Sequence, residues 1–298
     1  MRILISVILL ACSLLRAGID YNYSSVKPDT LKNDSLKREI SLKGKSKQLS
    51  DSLDVVIQNE FNIEIQTKNL PNPNKVVVII PKDHSKKNYP LIFMLHGWSG
   101  DQNQWKTTAD LHYYADKYNF IIVCPDGLYD SWYVDNPMSH NINYEKYFFE
   151  DLFNTIKKNY KIDTHNIFIT GLSMGGFGSM TFFLNHPKFF KAAASTSGIL
   201  DITKFKGKWG MDKVFTEENY IKYSPINNLQ KIKGLNKKIL VDCGEQDFAF
   251  KVNQEFYKKC KELKIPILFY SGEGNHSHTY WKKSVERHFD FFNKMTNK

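Results

Sequence analysis

At 298 residues, 42% hydrophobic and 14% aromatic, the chain holds enough apolar material for a full core, and one large domain accounts for the length better than two small ones. Its net charge of +10 comes from basic residues scattered among acids, with no arginine-rich stripe, so a nucleic-acid partner is not expected. No zinc-type spacing of cysteines and histidines occurs, and neither a metal nor a cofactor is expected.

The chain opens on MRILISVILLACSLLRAG, one early positive charge followed by an apolar stretch from Ile3 to Leu15 that is too short for a membrane span. Residues 1–17 therefore read as a secretory signal. Leu9-Leu10-Ala11-Cys12 resembles a bacterial lipobox, in which Cys12 would carry lipid and attach the protein to a membrane; ordinary cleavage a few residues later is the equal alternative. Either route exports the protein, to the periplasm, to the outer membrane as a lipoprotein, or to the medium. Residues 18–53 are polar and aperiodic, as expected of a tether, and 54–298 form the expected catalytic domain.

Val55 to Ile57, Phe61 to Thr67 and Val76 to Ile80 read as strands, the first of them antiparallel, separated by prolines. Buried strands at Pro90 to Leu95, Phe120 to Cys124, Ile167 to Thr170, Ala192 to Ser197, Lys238 to Cys243 and Ile267 to Ser271 then alternate with helices. Those helices are placed at Asp110 to Tyr118, Tyr144 to Tyr160, Met174 to Leu184, Phe248 to Leu263 and Tyr280 to Met295. Fully apolar strands alternating with helices predict a mostly parallel sheet covered on both faces. Gly198 to Asn236 breaks the alternation and is expected to lie over the top of the sheet. Cys124, Cys243 and Cys260 read as buried thiols, with a pairing of Cys243 and Cys260 left open.

Within that order, Ile167 to Gly178 reads IFITGLSMGGFG: a strand, a Gly-Leu-Ser-Met-Gly turn, and a helix start. So sharp a turn crowds the backbone, which calls for glycines two before and two after Ser173 and leaves its hydroxyl exposed. Downstream, the loop after Lys238 to Cys243 offers Asp247, with Glu245 as its rival and Asp242 inside the strand. The loop after Ile267 to Ser271 offers His276, with His278 as its competitor. The order Ser, Asp, His is that of a triad built on an α/β-hydrolase sheet. A serine hydroxyl is a weak nucleophile at neutral pH, so a histidine must take its proton and a carboxylate must orient the imidazole. Negative charge on an attacked carbonyl needs two waiting N–H donors, for which the backbones of Met174 and Trp98 are placed.

YPLIFMLHGWSG (Tyr89 to Gly100), PDGLYDSWYVDNP (Pro125 to Pro137), TGLSMGGFG (Thr170 to Gly178), VDCGEQDF (Val241 to Phe248) and GNHSHTYW (Gly274 to Trp281) together resemble the esterase D and feruloyl esterase type of α/β-hydrolase. That family includes tributyrin esterases, acetyl- and feruloyl-xylan esterases and S-formylglutathione hydrolases. The resemblance implies Ser173 as nucleophile, Asp247 as acid, His276 as base and Trp98 and Met174 as oxyanion donors. It also marks Ser131-Trp132-Tyr133 as a pocket-lining stretch, with core packing of the two aromatics as the equal alternative. Where relatives often carry an aromatic two residues after the catalytic histidine, this chain has His278, with a changed leaving-group side or pH response as the expected consequence.

The expected function is an exported serine carboxylesterase acting on small acyl or feruloyl esters, including esters on plant polysaccharide. A thioesterase like S-formylglutathione hydrolase, an acyltransferase, and a non-catalytic binding protein on a hydrolase scaffold are the alternatives. The oligomeric state is not legible.

Overall fold

A computed structural model of the protein describes residues 59–83 and 88–296. The leader with Cys12, the tether and the strand expected at Val55 to Ile57 lie outside the described residues. Eight strands form one sheet in the order β1-β2-β4-β3-β5-β6-β7-β8. β1 (Glu60–Ile65) and β2 (Asn74–Ile79) are antiparallel, β2 is antiparallel to β4 (Ile121–Pro125), and every further pairing is parallel. Those further strands are β3 (Tyr89–Leu95), β5 (Ile162–Gly171), β6 (Ala192–Thr196), β7 (Lys238–Gly244) and β8 (Ile267–Gly272).

Each central strand is apolar along its whole length because both of its faces are covered. The two-residue period of the strand divides β3 between two cores. Leu91, Phe93 and Leu95 face one side with Phe148, Phe182 and Phe256; Ile92 and Met94 face the other with Phe289 and Phe292. The first core is closed by the elbow helix Met174–Asn185 and the helix Phe250–Glu262, and the second by the C-terminal helix His278–Thr296. The elbow helix is apolar all round, as burial on every side requires.

One detail departs from the sequence reading, and two fill in what it left open. The helix expected over Tyr144 to Tyr160 is interrupted by a π-helical segment, Tyr147–Leu152, where Tyr147 and Phe148 turn into the core. The stretch from Gly198 to Asn236 is built of short helical turns, with one α-helix at Glu217–Tyr223. Cys243 and Cys260 are unpaired and buried, as is Cys124. Burial pushes the Cys243 thiol far above its ordinary value, and Asp247 and Asp242 add to that shift, so it stays protonated.

Candidate active site

Ser173 sits on the turn between β5 and the elbow helix with φ 53° and ψ −116°, a backbone conformation that L-residues seldom adopt. Its flanking glycines are there because nothing larger fits. A Cβ at Gly171 would lie 2.1 Å from the Gly175 carbonyl oxygen, and one at Gly175 would lie 2.1 Å from that of Leu95. The turn therefore packs directly against the end of β3 and pushes the serine side chain up from the sheet.

His276 follows β8 and Asp247 follows β7, and these two loops are tied together: the Gln246 N–H donates to the Gly274 carbonyl and the Glu245 N–H to that of Gly272. His276 Nε2 lies 2.9 Å from Ser173 Oγ, and its Nδ1 lies 3.0 and 2.9 Å from the two Asp247 oxygens. Asp247 Oδ1 also accepts the Ala249 N–H at 2.8 Å, and the carboxylate is fully buried. A buried, hydrogen-bonded carboxylate on Nδ1 selects the tautomer with the proton on Nδ1, leaving Nε2 to accept from the serine hydroxyl. Of the rivals considered, Glu245 accepts from Ser271 Oγ, and Asp242 points to the far side of the sheet, where it meets His288. His278 is exposed, bonded to Thr108 Oγ1 at 2.7 Å, and does not itself line the cavity beside Ser173; it meets that cavity through the edge of Trp281, 5.1 Å between ring centroids.

The backbone N–H groups of Trp98 and Met174 have no hydrogen-bond partner among the described residues. That of Met174 is free because it opens the elbow helix, and every helix start leaves such donors. Trp98 owes its position to a scaffold. Gln104 Oε1 accepts the Gly97 N–H at 2.7 Å; His96, fully buried, accepts the Gly127 N–H on Nε2 at 2.6 Å and faces the Gly97 carbonyl with Nδ1 at 2.8 Å. Tyr133 O–H donates to the His96 carbonyl at 2.8 Å, and burial holds that phenol well above its ordinary pKa, so it remains a donor.

A cavity of about 140 Å³ opens beside Ser173 and His276. Four of the five tryptophans line it: Trp98, Trp132, Trp209 and Trp281. Trp132 and Tyr133 both have positive φ, 52° and 56°, and that tight turn sends the two rings apart. Trp132 goes to the cavity wall and Tyr133 to the core behind the Gly97 loop, so the two readings of this stretch each hold for one ring. Trp209 and Gln104 carried no motif, and Phe248 and Trp281, each the last residue of a stretch that carries the resemblance, were given no role in the site. Trp209 comes from the segment over the sheet and is steered by Trp132 Nε1, which donates to its carbonyl at 3.2 Å; Trp281 is fixed by its Nε1 donating to Ser197 Oγ at 3.1 Å. Phe248, 49% exposed, stacks on Trp209 and lies 4.3 Å from the His276 ring, roofing the histidine. Among the described residues no group of three or more His, Cys, Asp or Glu side chains could hold a metal.

Residues 67–292 match the model of the family described as "Putative esterase". An acetyl esterase of Caldicellulosiruptor saccharolyticus is 25% identical over 80% of this chain and 99% of its own length. An S-formylglutathione hydrolase of Bos taurus is 24% identical over 70% of this chain and 83% of its own. Among solved structures, the fluorophosphonate-binding serine hydrolase FphF of Staphylococcus aureus superposes with a TM-score of 0.69, at 22% identity, over 78% of this chain and 98% of that one. The family match extends over most of the chain and encloses every loop of the site, and the fold agrees with it: this protein belongs to the putative esterase family and is a carboxylic ester hydrolase of the α/β-hydrolase fold.

Proposed function

We propose that the protein is an exported serine esterase that removes small acyl groups, of acetyl size, from alcohols. The observation that carries this reading is the continuous hydrogen-bonded line from Asp247 through His276 to Ser173, ending beside two unpaired N–H groups and a small aromatic cavity. Ser173 Oγ attacks the ester carbonyl as its proton passes to His276 Nε2, and Asp247 steadies the imidazolium. The carbonyl oxygen takes the electron pair and is met by the N–H groups of Trp98 and Met174. When the carbonyl reforms, the C–O bond to the alcohol breaks and His276 returns the proton to the leaving oxygen. Water then attacks the acyl carbon as its proton passes to His276; when the carbonyl reforms, the bond from that carbon to Ser173 Oγ breaks, His276 returns the proton to Oγ, and the acid leaves.

A cavity of about 140 Å³ is well under the range of roughly 300–1,000 Å³ typical of drug-sized ligands. That size supports acetyl and similarly short acyl groups over a feruloyl group, and the acetyl esterase among the relatives agrees. The alcohol then faces outward past Phe248, where a carbohydrate ester has room. Export rests on the leader sequence alone, and mass spectrometry of the mature protein from a cell-envelope fraction would show whether it begins at a lipidated Cys12.

The test of the activity is a panel of acetyl, butyryl, octanoyl and feruloyl chromogenic esters with S-formylglutathione beside them, run on the purified protein and on Ser173→Ala. The acetyl ester should be turned over fastest and Ser173→Ala should be inactive. Preference for octanoyl or feruloyl esters would overturn the size argument, and preference for the thioester would move the protein to the other branch of the family.

A further inference from the structure

The C-terminal helix packs on β5, β6 and β7 and reaches the same face of β8 with Arg287, over Tyr270, without closing it. On the opposite face, Phe269 is sheltered by Phe250 and Tyr257. On the partly open face Leu268 and Tyr270 are 46% and 42% exposed at the edge of the sheet. A groove of about 480 Å³ runs there between β8, the start of β7 and the last turns of the C-terminal helix, with Phe291 and Met295 in its wall. It lies apart from the cavity beside Ser173, with which it shares no lining residue.

The charge around this apolar groove is one-sided. Lys238, Lys261, Arg287 and Lys294 line it against a single carboxylate, Asp290, which already accepts a hydrogen bond from Tyr118. The three lysines form no ion pair among the described residues. Arg287 is held between two rings, 5.7 Å from the centroid of Tyr270 and 6.0 Å from that of Tyr280. Its Nε is buried without a hydrogen bond, and the nearest carboxylate oxygen, on Asp242, is 3.8 Å away. A guanidinium that makes no hydrogen bond among the described residues, and whose ion pair to Asp242 is a long one, is suited, beside an apolar trough, to a carboxylate that arrives with a hydrocarbon tail.

We propose that this groove binds a single-tailed amphiphilic anion, a fatty carboxylate, with its head group on Arg287 among the lysines and its tail along Leu268, Phe291 and Met295. A second copy of the chain is disfavoured there because a two-fold contact would bring like charges together. The concavity and volume suit one small molecule rather than a bilayer surface.

The experiment is calorimetric titration of the full chain with decanoate below its micelle concentration, beside decanol and decyltrimethylammonium. Decanoate should bind at least about tenfold more tightly than either. Lys238→Glu/Lys294→Glu should weaken decanoate by about tenfold or more and Leu268→Asp should weaken it as well. Both variants should keep the hydrolysis of an acetyl ester, which shows that they fold. Absence of decanoate binding, equal binding of the three probes, or binding unchanged in both variants overturns the proposal. So does sedimentation with phosphatidylglycerol vesicles without binding of free decanoate, which would assign the face to a membrane, or a concentration-dependent dimer that the variants dissolve, which would assign it to a second copy.

Discussion

The molecule contains the same constellation twice. On one side of the sheet Ser173, His276 and Asp247 stand in line at 2.9 Å spacings; on the other, Thr170 Oγ1 lies 2.7 Å from His288 Nδ1, and His288 Nε2 lies 2.9 Å from Asp242 Oδ2. The two lines draw on the same elements: β5 and its following turn supply the two hydroxyls, β7 and its following loop both carboxylates, and the C-terminal helix with its preceding loop both histidines. What differs is the surroundings. Thr170, His288 and Asp242 are at most 1% exposed, closed off between the sheet and the C-terminal helix. Ser173 is lifted by a strained turn to the edge of a cavity, with two unpaired donors next to it. A hydroxyl, an imidazole and a carboxylate in a row are thus not in themselves a catalyst; access and a place for developing negative charge make the difference. The buried line instead fastens the C-terminal helix to the two strands whose ends carry Ser173 and Asp247.

Conservative substitutions should separate the two lines most sharply at the hydroxyls. Ser173→Ala removes the proposed nucleophile and should lower kcat by about a millionfold, the scale of loss when the serine of a Ser-His-Asp triad is removed, while thermal unfolding stays near that of the wild type. Thr170→Val should do the reverse: activity of the folded protein within a few-fold of wild type, and stability lower by about 1–3 kcal/mol because His288 Nδ1 loses its partner in a dry interior. Steady-state kinetics and urea unfolding of the two proteins measure both halves, and a large loss of kcat in Thr170→Val would show that the lines are not independent.

The carboxylates give the next largest contrast. Asp247→Asn can still hydrogen-bond His276 but favours the wrong tautomer, and a loss in kcat of about ten-thousandfold is expected, as at the equivalent position of serine proteases. Asp242→Asn can keep its oxygen at the Oδ2 position, which both His288 and Arg287 face, but it then buries an amide NH2 at the Oδ1 position, where there is no partner. It should cost about 1–3 kcal/mol of stability and less than about tenfold in kcat. If Asp242→Asn proved as damaging to kcat as Asp247→Asn at full stability, the buried line would belong to the chemistry.

The scaffold of the Gly97 loop lies between these extremes. A Cβ at Gly97 would meet Leu172 Cδ1 at 2.7 Å and Ser173 Cβ at 3.4 Å, so Gly97→Ala should shift the neighbouring Trp98 N–H and the nucleophile together. A displacement of that kind should lower kcat by about a hundredfold with little change in KM, read from saturation curves on an acetyl ester.

The first line was legible in the sequence and the second was not, for a physical reason. The turn at Ser173 demands glycines at fixed spacing, and the parallel sheet delivers loop residues in the order Ser, Asp, His, so both constraints leave a local mark. Thr170, Asp242 and His288 sit in ordinary strand and helix positions, and nothing near His288 in the chain announces a partner 118 residues away. The same holds for Gln104 and Trp209, whose places in the site follow from packing; Trp281 stood in a quoted stretch, but its place in the cavity wall did not show there. The mostly parallel sheet and its antiparallel start were readable from apolar runs, whereas the order of the strands within the sheet and the π-helical turn at Tyr147–Leu152 were not, and that turn depends on which rings the core admits.

The smallest effect concerns a third histidine, which has neither line around it. His278 is two residues from His276 and opens the C-terminal helix, but it meets a hydroxyl, Thr108 Oγ1, and the edge of Trp281 rather than a carboxylate. Solvent reaches it, and it does not itself line the cavity. His278→Phe should therefore leave the pH dependence of kcat/KM on an acetyl ester superimposable on that of the wild type, and should cost less than about 1.5 kcal/mol through the lost hydrogen bond. Trp281 is the single route by which His278 touches the site, since that ring also stands 5.1 Å from His276. A displaced pH profile in His278→Phe would mean that the contact through Trp281 reaches His276, and the catalytic line would then extend one residue further toward solvent than its hydrogen bonds alone indicate.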